Sequence, residues 1–323
     1  MFRYLNTGIE KNPVAKKNNQ TVIFIPIYLF PGSKCSKKVF LVRQLCMQEK
    51  IYDMMKKISV LLISCSLFFI ACTTNSITGR KQLSLVPESD LQKEALTQYK
   101  SFLDTSTVIK SSAKDAEMVK RVGSRIAAAI TKYYSEKGLS KELSGYNWEF
   151  NLVKNSEVNA WCMPGGKVVV YTGLLGVTQN ETALAIVLGH EITHAVAHHG
   201  QERMSEALVA QGVAVGGNIF TSGNAQVNNI FNSIYAPTAQ VGVLLPNSRN
   251  QEYEADHYGL IFAAMAGYDP REAIPFWERM AKLNSGNQPP EILSDHPLDS
   301  KRIKKLESYM PEAMKYYEAS SKK

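Results

Sequence analysis

This chain of 323 residues has little that would cross-link it or bury it in a membrane. Of its five cysteines, Cys35, Cys46 and Cys65 lie upstream of Cys72, and only Cys162 lies beyond it. If Cys72 is modified, Cys162 has no partner, so no internal disulfide is expected. Long hydrophobic runs are also missing. Ile58–Ala71 is 14 residues, too short to serve comfortably as a permanent span. Val22–Phe30 is interrupted by Pro26, and Ala207–Phe220 is broken by Gln211 and Asn218. Nor is there an excess of positive charge outside the leader. Residues 1–71 carry 11 basic and 3 acidic side chains, which account for the whole net charge of +8; the rest of the chain carries 26 of each. That leaves no basic surface to argue from, and no nucleic-acid partner is expected. A repeat array is excluded too, because the chain after Glu252 is too short to hold one. The length permits one or two domains.

What the chain does have is His190-Glu191-Ile192-Thr193-His194, an H-E-x-x-H inside the apolar, alanine-rich stretch from Glu181 to His199. Chance would produce this pattern in on the order of one such chain in a hundred. On a helix, residues four apart share a face, so His190 and His194 can reach one metal ion. Glu191 is then placed as general base. The lead-in from Thr182 to Leu188 is free of proline and glycine and reads as a buried helix with polar groups at one spot. Buried polar groups need partners, and a metal is the obvious one.

A third ligand must come from elsewhere. The metzincin extension would need glycine three residues after His194 and histidine six after it; Ala197 and Gly200 stand there, so that class is excluded. Downstream, Glu252 and Asp256 are four apart in Ser248–Asp256. Glu252 can ligate a metal, and Asp256 can accept the free ring N–H of a ligating histidine. Glu254 is expected to face another way, toward solvent.

Several separate motifs within 72–310 carry a resemblance. They are Thr78-Gly79-Arg80-Lys81-Gln82-Leu83; Asn159-Ala160 with Pro164-Gly165-Gly166; Tyr171–Leu175; the H-E-x-x-H; Gln240–Pro246; Ser248-Arg249 with Glu252 and Ala255-Asp256; and His296-Pro297 with Arg302. With these the chain resembles the zinc metallopeptidases of family M48, the group of the heat-shock protease HtpX and the CAAX prenyl proteases. Within it, the likeness is to the soluble periplasmic lipoproteins BepA and LoiP. The resemblance implies a gluzincin with one Zn2+ held by His190, His194 and Glu252, with Glu191 as base. The expected fold is α+β and mainly helical, with the active-site helix packed on a small antiparallel sheet.

The leader fits export. Lys56-Lys57 precede Ile58–Ala71, and Phe69-Ile70-Ala71-Cys72 resembles a bacterial lipobox with Phe where Leu is usual. The alternatives are a plain signal peptide or a buried helix. The expected organisation is therefore an upstream extension at 1–53 with Met54 or Met55 as the better start, a lipoprotein signal at 54–71, and a tether at 72–86 lipidated on Cys72. A single peptidase domain at 87–310 and a polar tail at 311–323 follow. The expected address is the periplasmic side of the bacterial outer membrane.

Between these landmarks, Glu88–Leu103 and Ala113–Tyr134 have helical spacing, and Trp148–Val153 alternates like a strand. Val158–Trp161 and Lys167–Tyr171 flank a turn signal. Peptidases of this kind take substrate as an added strand, and resemblance marks Asn159 and Ala160 for that edge. A helix is expected near Met204–Ala214, with a mobile stretch at Asn218–Asn232 over the cleft. Helices are expected at Glu252–Met265, Pro270–Leu283 and Lys301–Tyr309. His296 could stabilise the tetrahedral intermediate, fill the fourth zinc position as a latch, or simply cap a helix or pack on Trp277. Arg302 is a candidate for polarising the scissile carbonyl. His198 and His199 read as helix-end or outer residues. The expected substrates are unfolded or misfolded envelope proteins. The alternative is a chaperone or assembly factor with a latent or structural zinc site.

Overall fold

A computed structural model describes residues 47–59, 72–213, 220, 224–235, 248–283, 292–293, 296 and 300–321. The chain divides into two compact units, Met1–Ser64 and Cys65–Lys323. In the first, residues 47–59 form a helix with exposed side chains. The rest of the expected signal, 60–71, lies outside the described residues. Among the described residues no helix is long and apolar enough to cross a membrane.

The second unit opens with a hairpin, β1 (Cys72–Thr74) against β2 (Lys81–Leu83). This corrects the expected tether. Polar composition hid the fact that Asn75 is buried and donates to the Ala197 carbonyl at 2.7 Å, which docks the turn. Helices α1 (Glu88–Thr105) and α2 (Lys114–Glu136) follow, as their periodicity predicts.

Three strands then form a mixed sheet: β3 (Glu149–Val153), β4 (Ala160–Met163) and β5 (Lys167–Tyr171), in the order β3-β5-β4. β4 and β5 form the expected antiparallel hairpin, turned by Gly165 and Gly166 at φ 83° and 80°, where a Cβ is strained. β3 instead pairs with β5 in parallel, so the sheet is not purely antiparallel. Periodicity identifies a strand but not its direction. β5 is buried on both faces. Val168 and Val170 join one core with α2 and the later helices, while Val169 and Tyr171 join a second core with Leu91, Tyr99 and Met204.

After α3 (Thr172–Thr178) comes α4 (Glu181–Val196), capped by the Asn180 side chain, which accepts from the Ala183 N–H at 2.8 Å. All of Ala183–Val196 is buried, as its composition predicts. α5 (His199–Ala210) starts earlier than expected, because His198 turns the chain in the left-handed region at φ 55°. α6 (Ala225–Tyr235) occupies most of the stretch expected to be mobile, with Val227, Ile230 and Phe231 buried. α7 (Ser248–Met265), α8 (Ala273–Leu283) and α9 (Ser300–Ser321) complete the unit. α9 runs straight through Pro311, against the expected tail; burial of Ala313 and an ion pair from His257 to Glu312 at 2.7 Å hold it.

The contact that sets the site is α4 against α7. A Cβ added to Gly189 would lie 2.6 Å from the Gly259 carbonyl oxygen, and one added to Gly259 would lie 2.8 Å from the His190 nitrogen. The helices therefore meet backbone to backbone.

Candidate metal centre and cleft

α4 presents His190 and His194 one turn apart, and α7 presents Glu252 opposite them. His296 completes the group, with its N–H donating to the Ile292 carbonyl at 2.9 Å. One ligand-type atom from each of the four falls within 4.8 Å of every other, and all four residues are buried. The two Nε2 atoms of His190 and His194 are 3.1 Å apart, and each is 3.4 Å from a Glu252 oxygen. His296 Nδ1 lies 3.0 and 3.1 Å from the Glu252 oxygens. Three imidazole nitrogens and a carboxylate aimed at one point are lone pairs facing lone pairs. A cation of the zinc class resolves that arrangement.

Each donor is held from behind. His190 Nδ1 lies 3.0 Å from Asp256 Oδ1. Arg302 Nε and Nη2 donate to the two Asp256 oxygens, each at 2.8 Å, and Nη1 donates to the His296 carbonyl at 3.0 Å. The Arg302 guanidinium also stacks over Trp277 at 4.6 Å. This revises the expected role of Arg302. It is buried in a clamp on Asp256 and Glu252, with its donors turned to the protein rather than to a scissile carbonyl. His199 and Glu254, in turn, matter more than sequence suggested. His199 Nδ1 meets His194 Nδ1 at 2.9 Å, and His199 Nε2 meets Glu254 Oε2 at 2.9 Å. Glu254, expected in solvent, is largely buried and paired with Arg80 at 2.6 Å.

Burial opposes charge on all these groups, and the neighbours decide the outcome. Glu252 is desolvated, yet His296, His194 and Arg302 hold it well below the usual carboxylate range. Asp256 is lowered the same way, chiefly by Arg302 against its burial. Burial keeps His194 well below an ordinary imidazole. Burial would also lower His190, but Asp256 and Glu252 outweigh it and push its pKa up to about 9. Those carboxylates attract positive charge to this spot, and a divalent cation would take the place of the proton.

His194 and His296 of the cluster line a cleft together with Asn159, Ala160, Trp161, Cys162, Arg203 and Tyr235. Glu191 lines the cleft, and its buried Oε1 lies 3.5 Å from His296 Nε2. Among the described residues no strand pairs with the outer side of β4. The Asn159 carbonyl accepts from the Tyr171 N–H at 3.0 Å, so alternation turns the backbone groups of Ala160 and Cys162 outward. The Ala160 N–H is taken by Asn159 Oδ1 at 2.8 Å. Cys72 and Cys162 are both free thiols; burial and the nearby Glu191 raise the Cys162 pKa well above its ordinary value.

A helix-borne histidine pair, a glutamate from a second helix and a further glutamate beside a strand edge match the donor set of zinc peptidases of the two-histidine, one-carboxylate class. Residues 113–310 match the model of Peptidase family M48, and the chain belongs to that family of zinc metallopeptidases. It is 34% identical over 186 residues to the Mitochondrial metalloendopeptidase OMA1 of Saccharomyces cerevisiae, covering 55% of this chain and 51% of that protein. It is 28% identical over 260 residues to the human Metalloendopeptidase OMA1, mitochondrial, covering 78% and 48%. To the Beta-barrel assembly-enhancing protease of Escherichia coli it is 30% identical over 162 residues, covering 48% and 33%. The chain thus spans about half the length, or less, of the curated relatives it matches. These relatives overturn the expected address on the bacterial outer membrane, because the matches in yeasts, a plant and vertebrates are mitochondrial proteins. A basic leader with a short apolar run does not distinguish one targeting route from another.

Proposed function

We propose that this chain is a zinc-dependent endopeptidase that cuts unfolded or misfolded polypeptides laid as an added strand along β4. One observation carries the reading: Glu191 and two members of the donor cluster, His194 and His296, line one cleft with Asn159–Cys162 at the open edge of β4. His190, His194 and Glu252 would hold the metal. Zinc in such a site supplies Lewis acidity toward the scissile carbonyl and the attacking water. Glu191 takes the proton from that water and passes it to the leaving amine. The Ala160 carbonyl and the Cys162 N–H align the peptide, and Asn159 keeps the Ala160 N–H occupied so that only one register fits. Extended, unfolded chains suit this edge because a folded segment has no free backbone to add.

A second reading has its own support. His296 sits 3.0 Å from Glu252 and 3.4 Å from His190 Nε2, where a fourth ligand would stand. A site closed in that way is latent, and the protein then binds clients without cutting them. One experiment separates the two. The full chain, Glu191→Gln and His296→Ala are loaded with zinc and given an unfolded protein, with and without chelator. An active peptidase cleaves as wild type, and Glu191→Gln keeps its zinc but loses at least a thousandfold in kcat. Silence in the wild type with cleavage by His296→Ala establishes the latch. Silence in both removes the hydrolase.

A further inference from the structure

The motif Thr78–Leu83 has no part in the chemistry above, yet its arginine is wired to the centre. Arg80 projects from the start of the β1–β2 hairpin's return strand onto two helices at once. Its Nε donates to Glu254 Oε1 on α7 at 2.6 Å, and its Nη1 and Nη2 donate to the two Glu202 oxygens on α5 at 2.5 and 2.6 Å. Glu254 Oε2 meets His199 Nε2, and His199 Nδ1 meets His194 Nδ1, both at 2.9 Å. The proton positions along this chain are forced. A histidine that offers its Nε2 lone pair to a metal carries its proton on Nδ1. His194 Nδ1–H therefore donates to His199 Nδ1. His199 then carries its own proton on Nε2 and donates to Glu254. Glu254 accepts from His199 at Oε2, and from Arg80 at Oε1 through Nε and, at 3.2 Å, at Oε2 through Nη2. Every contact has one hydrogen, and each tautomer is set by the next group outward.

We infer that Arg80 is a positioning residue for the metal centre: through Glu254 and His199 it fixes the tautomer and ring orientation of His194, so the docked hairpin 72–83 is part of the metal site. The hairpin's other anchors surround the same residue. Asn75 grips Ala197 at the end of α4, and the Ile77 carbonyl accepts from the Tyr258 hydroxyl on α7. Gln251 Nε2 donates at 2.7 Å to Glu202 Oε2, the oxygen that also accepts from Arg80 Nη2, so the carboxylate that shares Arg80 is itself fixed. Displacing the hairpin would take the Arg80 guanidinium away from the largely buried Glu254, leave it only His199, and release the outer end of the chain. Metal retention is in this way tied to the placement of a segment more than a hundred residues upstream of His194.

This inference rests on His194 being a metal ligand, as proposed above. The test is zinc affinity of the full chain, measured by competition with a chromophoric chelator, for wild type, His194→Ala, Arg80→Gln, Arg80→Lys and Glu254→Gln. Thermal unfolding with zinc chelated is followed in parallel. The expected result is at least a tenfold rise in the zinc dissociation constant for Arg80→Gln and for Glu254→Gln, with Arg80→Lys between them and wild type because it keeps charge but not the fork. The double variant Arg80→Gln/Glu254→Gln should lose no more than the worse single variant, since both cut one chain. Wild-type zinc affinity in Arg80→Gln and Glu254→Gln overturns the inference, even if their unfolding temperatures fall, because a merely structural arginine lowers only those. If Arg80→Gln does not fold, Arg80→Lys and Glu254→Gln decide the matter. Wild-type affinity in His194→Ala overturns the metal-site reading itself, a failure distinct from the others.

Discussion

The two histidines of α4 are supported in opposite ways. His190 is held by a carboxylate directly, Asp256, which Arg302 grips with two donors from the C-terminal helix α9. His194 is held through a second imidazole, His199, whose carboxylate Glu254 is gripped by Arg80 from the N-terminal hairpin. Both supports end in an arginine–carboxylate pair, but the first is sealed and the second is wetter: the Arg302 side chain is 2% exposed and that of Arg80 is 18%. The same problem, fixing the orientation of an imidazole, is solved once by a buried clamp and once by a longer chain that reaches the surface. The shorter route leaves little room for adjustment, whereas the longer one can be adjusted from outside.

The most severe way to break this contrast is Arg302→Met. It strands Asp256 and Glu252 as buried carboxylates without their cation, and removal of one partner from such a pair costs about 3–5 kcal/mol. Chemical denaturation of the chelated protein should show that loss; a change under 1 kcal/mol would mean that solvent reaches the clamp. Asp256→Asn is milder, since the amide keeps the shape and can still accept from His190. It should weaken zinc binding by about ten- to a hundredfold while leaving the fold in place. Equal losses from Asp256→Asn and Glu254→Gln would erase the distinction between the sealed and the wet support.

The smallest effect concerns His198, which neighbours the wetter side. It sits between Glu88 at 3.2 Å and Glu142 at 3.8 Å. Burial lowers its pKa, but those carboxylates outweigh the burial and push it up to about 9 from 6.5. A pKa raised on folding means that the charged form stabilises the fold fully below pH 6.5, and that this contribution fades as pH rises through 9. His198→Asn keeps a residue that tolerates positive φ and removes the charge. It should cost about 1–2 kcal/mol at pH 6 and nearly nothing at pH 10. A cost that does not change with pH would assign the loss to packing.

Local spacing made the pair His190 and His194, and Glu252 with Asp256, legible, because i and i+4 positions share a helix face whatever the rest of the chain does. Burial of α4 was legible for the same reason. His296 and Arg302 were found by resemblance, and the structure places His296 within the donor cluster and Arg302 behind it, on Asp256. Arg80, His199 and Glu254 were not legible as a unit. Their links span 174, 55 and 5 residues, and nothing in composition joins them. The parallel pairing of β3 escaped because alternation carries no direction. The helical course past Pro311 escaped because local propensity was overridden by burial at Ala313.

The meeting of Gly189 and Gly259 bears on how this molecule fails. The spacing between the histidine pair and Glu252 is ruled by two main chains in contact, with no side chain between them to yield first. The centre therefore has no soft mode of opening across that seam. On heating or under load, the two histidines and Glu252 should separate across that seam only in the event that parts the two helices, so any earlier loosening of the centre has to come from its outer supports.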